Sequence, residues 1–151
     1  MTMIIKEQML TYKKPTSTKL YFAYGANMHE DNMKYRCPDA VPIGPFVLKD
    51  WQLKFYTHAN IEYNKGAEVA GVLWKITNLC EYSLDRFEGH PVYYVKQEWY
   101  QDGKKFFFYE MTDPRVGKPH PWYVDDIVES YWQWQLPMPL LETALEGYKC
   151  S

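Results

Sequence analysis

The sequence predicts an α+β domain, and three features carry that reading. Short runs rich in Tyr, Phe, Trp and Val read as strands. Two of these runs flank Asp102-Gly103, the dipeptide signal of a type I′ hairpin. Apolar residues at helical spacing occupy a segment between strands and most of the C-terminal third. Mixed strands followed by helices is the order of an α+β fold. A chain of 151 residues without a break in composition fits one domain with its own core.

Leu20-Tyr21-Phe22-Ala23-Tyr24 reads as a buried strand that stops at Gly25. Residues 1–19 before it lack periodicity and form a lead-in, which leaves 20–151 as the domain. Asn27 can cap a helix over about 28–35, with Glu30 three residues on as in a capping box and Pro38 as its stop. Residues 51–56 and 68–76 read as strands, Gly71 permitting a bulge or a close backbone approach. Thr77 or Asn78 then caps a helix in which Cys80, Leu84 and Phe87 fall at i, i+4 and i+7, ending at Gly89. The hairpin strands span 93–100 and 104–111. Val124, Ile127, Val128 and Tyr131 keep helical spacing after Pro121, and Pro137 and Pro139 set off a last helix near 140–145.

Composition narrows the function. A net charge of -2 gives no basic footprint, so a nucleic-acid partner is not expected. No apolar run approaches the roughly 18 to 20 residues of a bilayer span, and no signal-like block opens the chain, so the expectation is a cytoplasmic protein without a membrane partner. Cys37, Cys80 and Cys150 are odd in number and widely spaced, which reads as reduced thiols. His29, His58, His90 and His120 show no ligand spacing, so a metal site is not expected. No Gly-x-Ser-x-Gly elbow is present to support a serine triad. Trp132 and Trp134 fit core packing at a helix end better than an exposed stacking surface.

Two segments carry candidate chemistry. At Tyr24-Gly25-Ala26-Asn27-Met28, a strand end, a glycine and a helix start leave neighbouring N–H groups pointing one way, either as an oxyanion nest or as an ordinary turn. Glu88, between Phe87 and Gly89 and near His90 and Tyr93-Tyr94, is either a solvated carboxylate at a helix end or a desolvated one. Desolvation would raise its pKa into the range useful for taking and returning a proton.

Taken together, Leu20-Tyr21-Phe22-Ala23-Tyr24-Gly25-Ala26-Asn27-Met28, Gly71-Val72-Leu73-Trp74-Lys75-Ile76 and Ser83-Leu84-Asp85-Arg86-Phe87-Glu88-Gly89 resemble the γ-glutamylcyclotransferase family and its AIG2-like relatives. Tyr93-Tyr94-Val95, Pro119-His120-Pro121-Trp122-Tyr123 and Gln135-Leu136-Pro137 extend the resemblance over roughly 20–145. It implies a compact mixed β-barrel with flanking helices, and an intramolecular cyclotransferase that turns a γ-glutamyl amino acid or amine into 5-oxoproline and a free amine without a cofactor. By the same resemblance, Glu88 is the acid/base residue. Tyr21, Phe22, Ala23, Tyr24, Gly25, Ala26 and Asn27 line the γ-glutamyl pocket, and Tyr123 joins them. Ala26 stands where the family often has Ser, and His120 where Ser often precedes the Pro, which bears on the choice of leaving group. A homodimer is compatible with this reading, and its alternative is a non-catalytic module of the same fold, either one that kept the pocket for small-molecule binding and lost the reaction or a protein-interaction module.

Overall fold

The computed structural model describes residues 18–114 and 119–149. Five strands form one sheet: β1 (Thr18–Ala23), β2 (Val41–Phe55), β3 (Ala59–Thr77), β4 (Tyr94–Gln101) and β5 (Lys104–Met111), in the order β2-β3-β1-β5-β4. Four α-helices accompany it among the described residues: α1 (Glu30–Arg36), α2 (Asn78–Glu88), α3 (Pro121–Gln133) and α4 (Met138–Lys149), with a 3-10 turn at Ala26–Met28 before α1. The fold is therefore α+β, as expected. The proposed lead-in lies outside the described residues except for Thr18 and Lys19, which open β1.

The three inner strands are the ones with unbroken apolar runs. Val69–Trp74 of β3, Tyr21–Ala23 of β1 and Phe106–Tyr109 of β5 are buried on both faces, the signature of strands covered on both sides. β1 runs antiparallel to β3 and pairs in parallel with β5 at Tyr21 and Phe107, so the sheet is mixed. Gly71 makes the inner packing possible: a Cβ there would lie 2.3 Å from the carbonyl oxygen of Ala23 and 2.7 Å from the Phe22 ring. The expectation of a close approach at Gly71 is met, while the register shifts of β2 against β3 fall elsewhere, at Pro42/Gly44 and Lys49/Trp51.

The sheet is not closed into the barrel the resemblance implies. No ladder joins β2 to β4 among the described residues; side chains bring the two edges together instead. Gln101 Nε2 donates to the carbonyl of Val47 at 2.8 Å, its Oε1 accepts from the N–H of Lys49 at 2.8 Å, and Trp51 packs edge-on against Trp99. Strand β2 also begins ten residues earlier than residues 51–56 would suggest, through Val41-Pro42-Ile43-Gly44-Pro45. Proline is tolerated there because β2 is an edge strand with one unpaired side.

Local signals elsewhere hold. Asp102 and Gly103 have φ of 53 and 75°, the two left-handed residues of a type I′ turn. Thr77 caps α2 by accepting from the N–H of Cys80 at 3.2 Å, and Gly89 ends it in the left-handed region at φ 65°. Three expectations need correction. Asn27 caps nothing; His29 holds the N-cap position of α1, and the Asn27 amide is buried in tertiary contacts. Phe87 is 48% exposed and outside the core, and Trp132 is 72% exposed, whereas Trp134 is half-buried against Trp74 and donates to the carbonyl of Met28. Cys37 and Cys80 are joined in a disulfide, because the end of α1 lies against the first turn of α2, so these two are not separate reduced thiols. Cys150 lies outside the described residues. No described helix is long and apolar enough to cross a membrane.

Candidate active site

A cavity of about 200 Å³ opens where the end of β1, the end of α2 and the start of α3 converge. Its lining includes Tyr21 from β1, Tyr24, Gly25, Ala26 and Asn27 from the first loop, Glu88 from the end of α2 and Tyr123 from α3. Of the residues singled out in the sequence, Phe22 and Ala23 do not line it. Strand alternation turns Phe22 to the opposite face, where it meets Phe46 and Phe106 edge-on or tilted, and Ala23 is closed off by the approach of Gly71.

The first loop is held from behind. Asn27 Nδ2 donates to the Tyr21 hydroxyl at 3.1 Å, Arg36 Nη1 donates to Asn27 Oδ1 at 2.9 Å, and Asn32 Nδ2 donates to the carbonyl of Ala26 at 3.0 Å. The first bond of the 3-10 turn runs from the N–H of Met28 to the carbonyl of Gly25, so the N–H groups of Gly25, Ala26 and Asn27 lie ahead of any partner the turn itself supplies. Gly25 also keeps the cavity open: a Cβ there would lie 3.1 Å from the Tyr123 hydroxyl.

Five further wall residues escaped the sequence reading as site residues: His58, Ala59, Phe87, Tyr94 and Tyr109. The turn between β2 and β3 brings His58 and Ala59 under Tyr123, whose hydroxyl accepts from the N–H of Ala59 at 3.0 Å, and Tyr94 donates to the carbonyl of the same residue at 3.0 Å. Tyr109 accepts from the Tyr24 hydroxyl through its carbonyl and donates its own hydroxyl to Asp85 at 2.6 Å. Asp85 in turn pairs with Lys96 at 3.0 Å. Burial keeps the Tyr21, Tyr24, Tyr94, Tyr109 and Tyr123 phenols well above their ordinary pKa, so they serve as neutral donors and acceptors around Glu88.

Glu88 is the carboxylate of this wall. Burial raises its pKa to about 7 against the opposing pull of Arg36, so near neutrality it is half ionised and can both accept and return a proton. This is the desolvated alternative of the two readings, although part of the residue remains open to solvent through the cavity mouth. A second, wider groove of about 870 Å³ adjoins the cavity, sharing His58, Phe87, Glu88 and Tyr94 and continuing along Arg86, Tyr93 and Thr112. Away from both, the fold brings donor atoms of His29, Asp126 and Glu129 within 4.8 Å of one another, a grouping that the spacing of the four histidines did not suggest.

Residues 21–133 match the family described as Gamma-glutamyl cyclotransferase, AIG2-like. The bovine protein named Gamma-glutamylcyclotransferase is 32% identical over 127 residues, covering 69% of this chain and 65% of the relative. The human protein of that name is 32% identical over 123 residues with the same coverage. The chain thus spans just under two thirds of the length of these relatives. A solved structure titled Gamma-glutamyl cyclotransferase superposes with a TM-score of 0.74 at 30% identity, covering 85% of this chain and 86% of that one. The structure of YkqA from Bacillus subtilis, at 20% identity and a TM-score of 0.68, covers 95% of this chain and 58% of that one, and shows the shared fold alone. With a match over most of its length, and relatives alike in sequence and in fold, the chain belongs to the Gamma-glutamyl cyclotransferase, AIG2-like family.

Proposed function

We propose that the protein cyclises a γ-glutamyl amide to 5-oxoproline and releases a free amino acid or amine, with Glu88 as the acid/base residue. One observation carries the reading: a carboxylate with a pKa near 7 and the Gly25 loop line the same small cavity. In a γ-glutamyl amide the nucleophile and the electrophile belong to one molecule, so the protein needs to supply orientation and proton transfer. Well-oriented intramolecular attack is worth effective molarities on the order of 10⁵ M or more.

In this scheme the Glu88 carboxylate takes a proton from the α-ammonium, and the freed amine attacks the γ-carbonyl carbon. The N–H groups of Gly25, Ala26 and Asn27 stabilise the charge that develops on the carbonyl oxygen. The C–N bond to the leaving group then breaks as the proton held by Glu88 passes to the departing nitrogen, and the ring nitrogen gives its second proton to the freed amine, which leaves as an ammonium. One bond forms, one breaks, and the proton taken at the start is returned at the end, so no water is consumed. The inner cavity suits a single glutamyl group, and the adjoining groove, which shares Glu88, suits the leaving group. A cytoplasmic setting and a small-molecule substrate, without cofactor, nucleic acid or membrane, belong to the same reading.

The test is to incubate the protein with a panel of γ-glutamyl amino acids and γ-glutamyl amines and to follow 5-oxoproline, with Glu88→Gln as control. Product from the wild type and not from the variant is the expected result. A panel that yields no product from the wild type would favour the binding-module alternative.

A further inference from the structure

Arg36 lies behind the cavity wall and touches the supports of both its sides. Toward the first loop, Nη1 donates to Asn27 Oδ1 at 2.9 Å, and Asn27 passes the contact on to the Tyr21 hydroxyl at 3.1 Å. Toward α2, the guanidinium carbon sits 3.6 Å from the centre of the Phe87 ring, the residue before Glu88. The backbone at this point is fixed as well. The carbonyl of Arg36 accepts from Ser83 Oγ at 2.9 Å, and the next residue, Cys37, is bonded to Cys80. Cys80, Ser83 and Phe87 fall at i, i+3 and i+7 of α2, so one face of that helix grips residues 36 and 37 and carries Glu88 one residue further on.

Resting on the cyclotransferase reading, we propose that Arg36 is a positioning residue that fixes the Tyr21–Asn27 wall and the Phe87-Glu88 wall at one separation and sets a fixed positive charge behind the wall that carries Glu88. The other groups lining the cavity with that carboxylate are Tyr21 from β1, Tyr24 just past its end, Tyr94 from β4, Tyr109 from β5, Tyr123 from α3 and His58 from the β2–β3 turn, and Arg86, Tyr93 and Asp113 line the adjoining groove. The five phenols of the cavity are neutral, and the nearby Asp85 is already paired with Lys96. Arg36 is accordingly the charge that opposes burial at Glu88. An arginine suits both tasks at once, because its planar fork donates at the edge while its face stacks on a ring. A lysine supplies the charge without that geometry.

Arg36→Met and Arg36→Lys separate the two contributions. The ionisation of Glu88 is read directly by ¹³C NMR of side-chain-labelled glutamate, and kcat, KM and the pH profile are read by 5-oxoproline release. The expected result for Arg36→Met is an upward move of the Glu88 midpoint by roughly half a unit or more, with the acid limb of kcat/KM moving alongside it. For Arg36→Lys the limb stays near that of the wild type while kcat falls by about tenfold with KM little changed, as loosened geometry predicts. An Arg36→Met protein of wild-type circular dichroism whose Glu88 midpoint is unmoved would overturn the charge role. An Arg36→Lys protein with wild-type kcat would overturn the positioning role, and it keeps the proposal testable should Arg36→Met fail to fold. Absence of 5-oxoproline from the wild type would sink the cyclotransferase reading alone, since the NMR titration of Glu88 is read without turnover.

Discussion

The hydroxyl of Tyr123 accepts a hydrogen bond from the backbone N–H of Ala59 at 3.0 Å, which ties the start of α3 to the turn between β2 and β3 across the cavity. Gly25 faces the same hydroxyl, with room for hydrogen and little for a methyl group. Tyr123→Phe leaves the Ala59 N–H unpaired and is expected to cost about 1 kcal/mol of stability. It should also raise KM more than it lowers kcat, because the ring stays while its anchor is lost. Urea unfolding together with initial-rate kinetics checks both parts.

Gly25→Ala separates stability from function. The added Cβ would lie 3.1 Å from the Tyr123 hydroxyl, tight enough to push that side chain aside and narrow the cavity. The expected outcome is a loss of kcat/KM of about tenfold or more, with a melting temperature within a few degrees of the wild type. A variant that binds and turns over substrate normally would show that the loop's closeness to Tyr123 is irrelevant to the site.

Gly71→Ala is the structural counterpart. Its Cβ would meet the Ala23 carbonyl at 2.3 Å, and a backbone atom in an inner strand has no rotamer by which to retreat. Overpacking of this kind costs about 1 to 3 kcal/mol and at times more, and here the strain falls on the strand that leads into Tyr24 and Gly25. Thermal unfolding should show the loss, and a Tm unchanged from wild type would contradict the packing account.

The raised pKa of Glu88 has a stability consequence of definite sign. Its folded pKa of about 7 lies above the ordinary carboxylate value of 4.5, so the folded state holds this proton more tightly than the unfolded chain does. The associated stability is complete below about pH 4.5 and is lost as pH rises through 7. Glu88→Gln removes that dependence. The variant should therefore gain on the wild type between pH 5 and pH 8, by up to about 3 kcal/mol if the site stays dry and by less with water in the mouth. Paired urea melts at those two pH values test this; parallel behaviour of the two proteins would mean that Glu88 is not desolvated.

What could be read from the sequence was local in cause. The type I′ turn at Asp102-Gly103, the Thr77 cap and the left-handed Gly89 each follow from a few adjacent residues, and all are present. The first loop and Glu88 were recognisable as separate segments, but His58, Ala59, Tyr94 and Tyr109 join them through strand register and the convergence of β1, β3, β4, β5, α2 and α3. Asn27 shows the limit most clearly. Its spacing to Glu30 satisfies a capping box, yet Tyr21 and Arg36 recruit its amide, and a tertiary network displaces the local one. The Cys37–Cys80 bond and the Phe87–Arg36 stack likewise depend on where α1 ends against α2.

The most direct measurement for the central claim is the pH profile of kcat/KM for 5-oxoproline release, taken on the wild type and on Glu88→Gln with the best γ-glutamyl substrate of the panel. Catalysis by the Glu88 carboxylate predicts a wild-type rate that rises with pH through a midpoint near 7, and a variant reduced by about 10²-fold or more that has lost that limb. A Glu88→Gln protein that keeps its rate within a few-fold, with the same limb, would contradict the account.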